Sequence, residues 1–246
     1  MWGIYDELIA LIPENLEVKG FLAGLHWFLV RSEGTGMAMS LHENLHIRVS
    51  GGMISGTPVK ETAQKIKAWS NFEASIGLAA INSVVNAPCR VTEAFGTCIK
   101  PGPEKNIFER MKDRISGKKV AAVGHFRNME QIAPVCELSI LERLPEEGDL
   151  PDPACEYILP EQDYVFITAS ALINKTLPRL LELSRNAFVI LQGPSTPLTP
   201  CLFKYGIDML AGTVVLEHER VWNLIQEGGR NEFFGHGTEM VEFMRP

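Results

Sequence analysis

The sequence has no apolar run long enough to cross a bilayer, no paired cysteines at redox or zinc-ribbon spacing and no surplus of basic charge. Its most apolar stretch, residues 21–30, is interrupted by His26 and falls short of the roughly 20 residues that a spanning helix needs. Near the N-terminus, Asp6 and Glu7 stand where a secretory signal would carry bases, so a cytoplasmic location is expected. With 23 Lys and Arg against 30 Asp and Glu, the net charge is −7. That balance argues against nucleic acid and anionic membrane as partners, because both demand clustered basic residues. The five cysteines, Cys89, Cys98, Cys136, Cys155 and Cys201, are odd in number and form no C-x-x-C pair. They suit reduced thiols better than a disulfide framework. Catalytic signatures are missing too: there is no G-x-S-x-G elbow, no phosphate-binding Walker loop and no G-x-G-x-x-G turn. Repeats, low-complexity tracts and coiled-coil heptads are absent.

What is present is a change of periodicity along 246 residues, a length that suits two modest cores better than one. Helical spacing over residues 2–11 ends at Pro13, and shorter periods over 18–22, 25–30 and 37–41 predict an antiparallel meander of three strands. Two helices follow over 59–69 and 72–85. Residues 88–103, rich in Gly and Pro towards their end, read as a loop and a domain boundary. Beyond a linking helix at 106–115, strands are expected at 120–123, 136–141, 164–168, 188–191 and 212–216, with helices at 171–184 and 217–227. The expected fold class is therefore α/β: an α+β domain over residues 1–103, then a doubly wound parallel-sheet domain over 104–246.

Candidate chemistry is judged by its setting. His42-Glu43-Asn44-Leu45-His46 fits H-E-x-x-H, but a strand precedes it and Gly51-Gly52 follows, leaving little room for the helix that would aim both imidazoles at one metal. Chance occurrence in a loop is the preferred reading. The stretch Val120-Ala121-Ala122-Val123-Gly124-His125 runs a buried strand into one glycine, which makes Gly124 and His125 candidates for the floor of a crevice. Glu142, at the end of the next strand, stands where such folds place an acid for a ribose hydroxyl, or is simply a surface carboxylate. Thr168 and Ser170 follow the third strand. Gly193-Pro194-Ser195-Thr196-Pro197 follows the fourth, so Gly193, Ser195 and Thr196 are candidate ligand contacts, and Thr199-Pro200 reads as a helix start. On the 72–85 helix, Ser75, Ala79, Asn82 and Asn86 share a small polar face, from which Asn82 and Asn86 are expected to orient a ligand.

Taken together, Gly77-Leu78-Ala79-Ala80-Ile81-Asn82, Val123-Gly124-His125-Phe126, residues 167–177, Gly193-Pro194-Ser195-Thr196-Pro197-Leu198, Gly206-Ile207-Asp208 and Ala211-Gly212-Thr213 resemble the "putative heavy-metal chelation" family. The resemblance covers nearly the whole chain. It implies an N-terminal domain similar to that of enolase, a Rossmann-like second domain and a site between them. The partner expected is a small anionic or metal-chelating ligand; the resemblance implies a divalent or soft heavy metal as cofactor, and the position of Glu142 leaves a nucleotide-like ligand as the other cofactor class. Two other readings stand beside it: a transferase or lyase using a cofactor such as S-adenosylmethionine, and a non-catalytic interaction module. A homo-oligomer is left open.

Overall fold

The structure, a computed structural model, describes residues 2–41, 53–100, 102 and 106–246, and the H-E-x-x-H segment lies outside them. Helix α1 (Gly3–Ala10) leads into a meander of β1 (Gly20–Ala23), β2 (Trp27–Arg31) and β3 (Thr35–Met39), paired antiparallel in sequence order. Next come α2 (Val59–Gln64) and α3 (Asn71–Val85). Ser70 caps α3 by accepting from the Glu73 amide, the S-x-x-E arrangement that satisfies an orphan donor at a helix start. Nearly every residue of α3 is buried, because neighbours cover both of its faces. Glycines let those neighbours come close: a Cβ at Gly36 would lie 2.1 Å from the Ala79 carbonyl oxygen, and one at Gly77 would lie 2.0 Å from the Ile66 nitrogen.

The segment expected to be a loop after residue 88 begins instead with α4 (Pro88–Phe95). Proline reads as a breaker, yet its missing N–H costs nothing at the first helical position, and Gly96 at φ 66° closes the helix with a left-handed cap. Helix α5 (Ile107–Ile115) then leads to the second sheet. Its strands are β4 (Lys119–Val123), β5 (Glu137–Glu142), β6 (Leu150–Pro151), β7 (Tyr164–Thr168), β8 (Phe188–Gln192), β9 (Met209–Val215) and β10 (Thr238–Met244). The spatial order is β10-β9-β8-β7-β4-β5-β6, with all neighbours parallel except β10 against β9. The chain fills the sheet outward from β4 in one direction and then, from β7, in the other, the arrangement of a doubly wound sheet. Along the strands, Val120, Ala122, Phe166 and Ile190 cluster with α5, while Ala121, Val165, Ile167, Val189 and Leu191 belong to the cluster on the opposite side. Both faces are thus covered.

Helices α6 (Cys155–Ile158), α7 (Leu177–Leu183) and α8 (His218–Gln226) complete the chain. The long helix expected over 171–184 is instead a 3-10 turn at Ala169–Leu172 followed by the shorter α7. Lys175, within the polar stretch Asn174-Lys175-Thr176, adopts φ 66° and breaks the hydrogen-bond ladder. Strand β9 begins earlier than expected, and β10 was not anticipated. Thr199-Pro200 does start a helical turn, a 3-10 one at Pro200–Tyr205, with the Thr199 hydroxyl accepting from Cys201 N.

Side chains of the two sheets share cores. Ile4, Tyr5 and Val30 join one cluster with Val165, Leu172 and Leu198. Trp27, Leu29 and Met37 join another with Val215, Val221 and Ile225.

Candidate ligand crevice

The polar face of α3 lies directly on the loop after β8, with no gap between them. Asn82 donates from Nδ2 to the carbonyls of Met37 (2.8 Å) and Ser195 (2.9 Å). Asn86 donates to the carbonyls of Thr196 (2.9 Å) and Thr213 (3.3 Å), and its Oδ1 accepts from Leu198 N at 2.8 Å. Ser195 Oγ accepts from the amide of Met39 at 2.9 Å, and Ser75 Oγ donates to the carbonyl of the same residue at 2.8 Å. All of these polar residues are buried. Loops and strand edges present main-chain groups that water cannot reach here, and the amides and hydroxyls satisfy them. The expectation that Asn82, Asn86, Ser195 and Thr196 face an open cleft is therefore corrected: they fasten the meander lobe to the parallel sheet. Gly193, at φ 118°, belongs to the same turn and does not line the cavity either.

The cavity lies one strand over. A space of about 490 Å³ opens beyond the carboxyl ends of β4, β5 and β7, where the order of the sheet reverses. Open α/β sheets bind ligands at this place because the loops of adjacent strands diverge there. The structure brings Gly124, His125, Glu142, Thr168 and Ser170 together on its wall, so half of the expected contacts share one space. Gly124 is buried at φ 107°, and a Cβ there would meet Thr168 Cγ2 at 3.0 Å, so the turn needs glycine both for its dihedral and for its neighbour. Met39 and Leu41, at the end of the meander, close the apolar side together with Leu180 and Leu183 of α7.

The wall is heavily hydrogen-bonded. Glu142 accepts from His125 N through Oε1 (2.8 Å) and from Arg143 N through Oε2 (2.9 Å), tying the ends of β4 and β5 together. His125 Nε2 sits 2.9 Å from Oδ2 of Asp149, a carboxylate that is itself almost fully buried. Arg179 holds Glu156 with two contacts, at 2.9 and 2.5 Å, and Arg143 lies 3.5 Å from Asp152. This pairing keeps the Glu156 carboxyl below its ordinary range. Burial, with Asp152 nearby, pushes the Cys155 thiol up to about 11. Lys175 and Asn174 also line the space. Pattern reading missed both, because their stretch was absorbed into the expected helix; the polar interruption Asn174-Lys175-Thr176 in an apolar run was the available signal.

A cavity at the switch point of a doubly wound sheet, walled on one side by an antiparallel meander, defines the class of α/β protein to which this chain belongs. The chain belongs, more particularly, to the family described as "putative heavy-metal chelation", which it matches over residues 106–244 and, through a second family of the same description, over residues 5–85. An uncharacterised protein of Methanocaldococcus jannaschii is 35% identical over 230 residues, covering 87% of this chain and 84% of the relative. A crystal structure of a family member of unknown function from Desulfitobacterium hafniense superposes with a TM-score of 0.88 at 38% identity, covering 99% of this chain and 97% of the other. One from Pyrococcus horikoshii, at 22% identity and 98% coverage of both chains, has a TM-score of 0.80 and shares the fold.

The family description invites a test against the side chains. Among the described residues, no three His, Cys, Asp or Glu side chains converge as a metal cage. Among the described residues of the crevice, the one thiol, Cys155, is buried and its pKa is pushed up by that burial, and the imidazole of His125 is hydrogen-bonded to Asp149. The described donors do not fit a bare heavy-metal ion, since a soft metal is held by thiolates or by several convergent imidazoles.

Proposed function

We propose that the protein binds a small organic ligand, either a metal-chelating anion or its metal complex, in the crevice at the ends of β4, β5 and β7. The observation that carries this reading is a cavity of about 490 Å³ at the switch point, polar on the strand-end side and apolar where Met39 and Leu41 meet it. That volume lies within the roughly 300–1,000 Å³ typical of small-molecule sites. A chelate brings its own donors to the metal, so the protein recognises the organic part and needs no cage. Gly124, His125, Thr168 and Ser170 are the contacts retained from the sequence, and Glu142 shapes the wall. The domain division at residues 103 and 104, and a cytoplasmic setting for the five free cysteines, belong to the same proposal.

Native mass spectrometry with elemental analysis of freshly purified protein tests it. The expected result is a retained organic mass, with any metal leaving alongside it, and loss of both in Met39→Trp, which fills the apolar side. Stoichiometric metal that remains after the organic mass has gone would overturn the reading.

A nucleotide-like cofactor is the second reading, favoured by the position of Glu142 at the end of β5. Against it, both Glu142 oxygens already accept main-chain N–H groups, and β4 is followed by a 3-10 turn at Met129–Gln131 instead of a helix whose N-terminus could face a pyrophosphate. Thermal-shift titration with S-adenosylmethionine and NAD decides: a saturable rise in melting temperature would promote this reading.

A further inference from the structure

The charges on the crevice wall balance. Among the described residues that line it, three are cationic, Arg143, Lys175 and Arg179, and three are anionic, Glu142, Asp152 and Glu156. Each is engaged within the protein. Arg143 lies 3.5 Å from Asp152, and Arg179 holds Glu156 at 2.9 and 2.5 Å. Glu142 accepts two main-chain N–H groups, and the Lys175 ammonium donates to the carbonyl of Ile173. The remaining polar side chains of the wall are engaged as well: the Thr168 and Ser170 hydroxyls with each other at 3.0 Å, the Thr176 hydroxyl with Asn174 Oδ1 at 2.6 Å, and His125 Nε2 with Asp149 at 2.9 Å. An ion entering this space meets no surplus of opposite charge and has to draw on groups that already serve a partner. Taking a charge out of water without full pairing is costly, and so is separating a pair already formed.

The rest of the wall is apolar. Met39 and Leu41 from the end of the meander, Leu141 from β5, and Leu180 and Leu183 from α7 line the space. Contact with hydrocarbon is favourable in proportion to the area removed from water and needs no compensating charge. The wall therefore favours a ligand by its apolar surface and gives an ionic one little to bind.

We infer that the ligand held in the crevice is electrically neutral overall and apolar on its surface: of the two forms in the crevice reading, the charge-balanced metal complex and not the free chelating anion. This rests on that reading and narrows it. A chelator whose anionic donors are spent on the metal turns its carbon skeleton outward, so the complex brings no charge that the wall would have to match. The skeleton lies against Met39, Leu41, Leu180 and Leu183, and the paired charges of the strand-end side stay paired.

The neutral two-to-one complex of 8-hydroxyquinoline with zinc, 8-hydroxyquinoline alone, zinc chloride, malonate and citrate, all at matched ionic strength, serve as probes in a thermal-shift assay on the parent, Met39→Gln, Leu183→Gln and Met39→Trp. The expected result is a saturable rise in melting temperature with the zinc complex and none with malonate, citrate or zinc chloride. Each glutamine variant keeps the size of the side chain and changes its polarity, so about fivefold more complex should be needed for half the shift; Met39→Trp should abolish it. The two glutamine variants lie on different elements, so one that folds is enough to read the effect. If malonate or citrate shifts the parent and Met39→Trp removes that shift, the crevice reading stands and the neutral class falls. A shift with zinc chloride alone would put the metal on protein side chains and overturn the inference, as would 8-hydroxyquinoline alone binding as tightly as its complex, or parental midpoints in the glutamine variants. No shift with the complex overturns it too and leaves the crevice to the mass-spectrometric test.

Discussion

Asn86 gives the sharpest test of how the two lobes are joined. Its side chain is 2% exposed and makes three hydrogen bonds to main-chain groups of the opposite lobe: two donated to the carbonyls of Thr196 and Thr213 and one accepted from Leu198 N. Asn86→Ala removes all three and leaves the Leu198 N–H without its acceptor in a buried seam. Each lost bond costs about 1 kcal/mol, and an orphaned buried donor costs about 1–3 kcal/mol. The 3.3 Å bond to Thr213 is the weakest of the set, so a total of about 3–4 kcal/mol is expected. Against a stability of about 5–15 kcal/mol for a folded protein, that is a large fraction. For a chain of this size it lowers the melting temperature by roughly 6–16 °C. Urea unfolding followed by far-UV circular dichroism reads the change directly, and near-UV dichroism of Trp27 and Trp222 at the seam shows whether the lobes part before either unfolds. A loss below about 1 kcal/mol would refute the reasoning, because it would mean that the seam rearranges to recover its partners or is already wet.

Three further outcomes are expected. Gly36→Ala places a methyl 2.1 Å from the Ala79 carbonyl oxygen and 2.1 Å from Ser83 N; backbone cannot yield cheaply, so a loss of about 3 kcal/mol or more in urea unfolding is expected, at or above the upper end of overpacking costs. His218, hydrogen-bonded to Thr35 at 2.9 Å across the seam, is held below its ordinary value by burial and by the nearby Arg31 charge. The unfolded chain then binds the proton more readily, so the contribution of His218 is fully present above about pH 6.5 and is lost as the pH falls through the folded-state value. Parent stability measured from pH 8 to 5 should fall more steeply than that of His218→Gln; parallel curves would contradict the assignment. At pH 7.5, iodoacetamide should label the exposed Cys89 and Cys98 and leave Cys155 unmodified, because that thiol is buried and pushed up to about 11; peptide mapping by mass spectrometry checks this.

Much of the fold was legible because the strands of a parallel sheet covered on both faces are continuous apolar runs, and Val120-Ala121-Ala122-Val123 and Val165-Phe166-Ile167 stand out as such. The meander showed itself through its glycine-bearing turns. Elements were misread where one residue carried two meanings. Pro88 starts α4, although proline also ends helices, and Lys175, inside a stretch of helical spacing, takes a left-handed turn. The candidate site divided along a physical line. Gly124, His125, Glu142, Thr168 and Ser170 follow strands that flank the switch point, so their position in the topology was enough to place them on the cavity. Asn82 and Asn86 suggest an opening because they lie on a small-residue helix face, and Ser195 and Thr196 because their loop follows a strand's carboxyl end. Polar side chains with that pattern are equally what a buried seam needs where loop carbonyls and amides must be satisfied, and only the packing of α3 on the loop after β8 distinguishes the two uses.

The central claim is that a small ligand occupies the space bounded by Gly124, Ser170, Lys175 and Met39. A crystal structure of the protein taken rapidly from cells, with its retained ligand, tests this most directly. Organic density in that space, in contact with Gly124, Ser170 and Met39, is the expected result. Density seated instead against the 193–198 loop, or a metal ion bound by protein side chains alone, would contradict it.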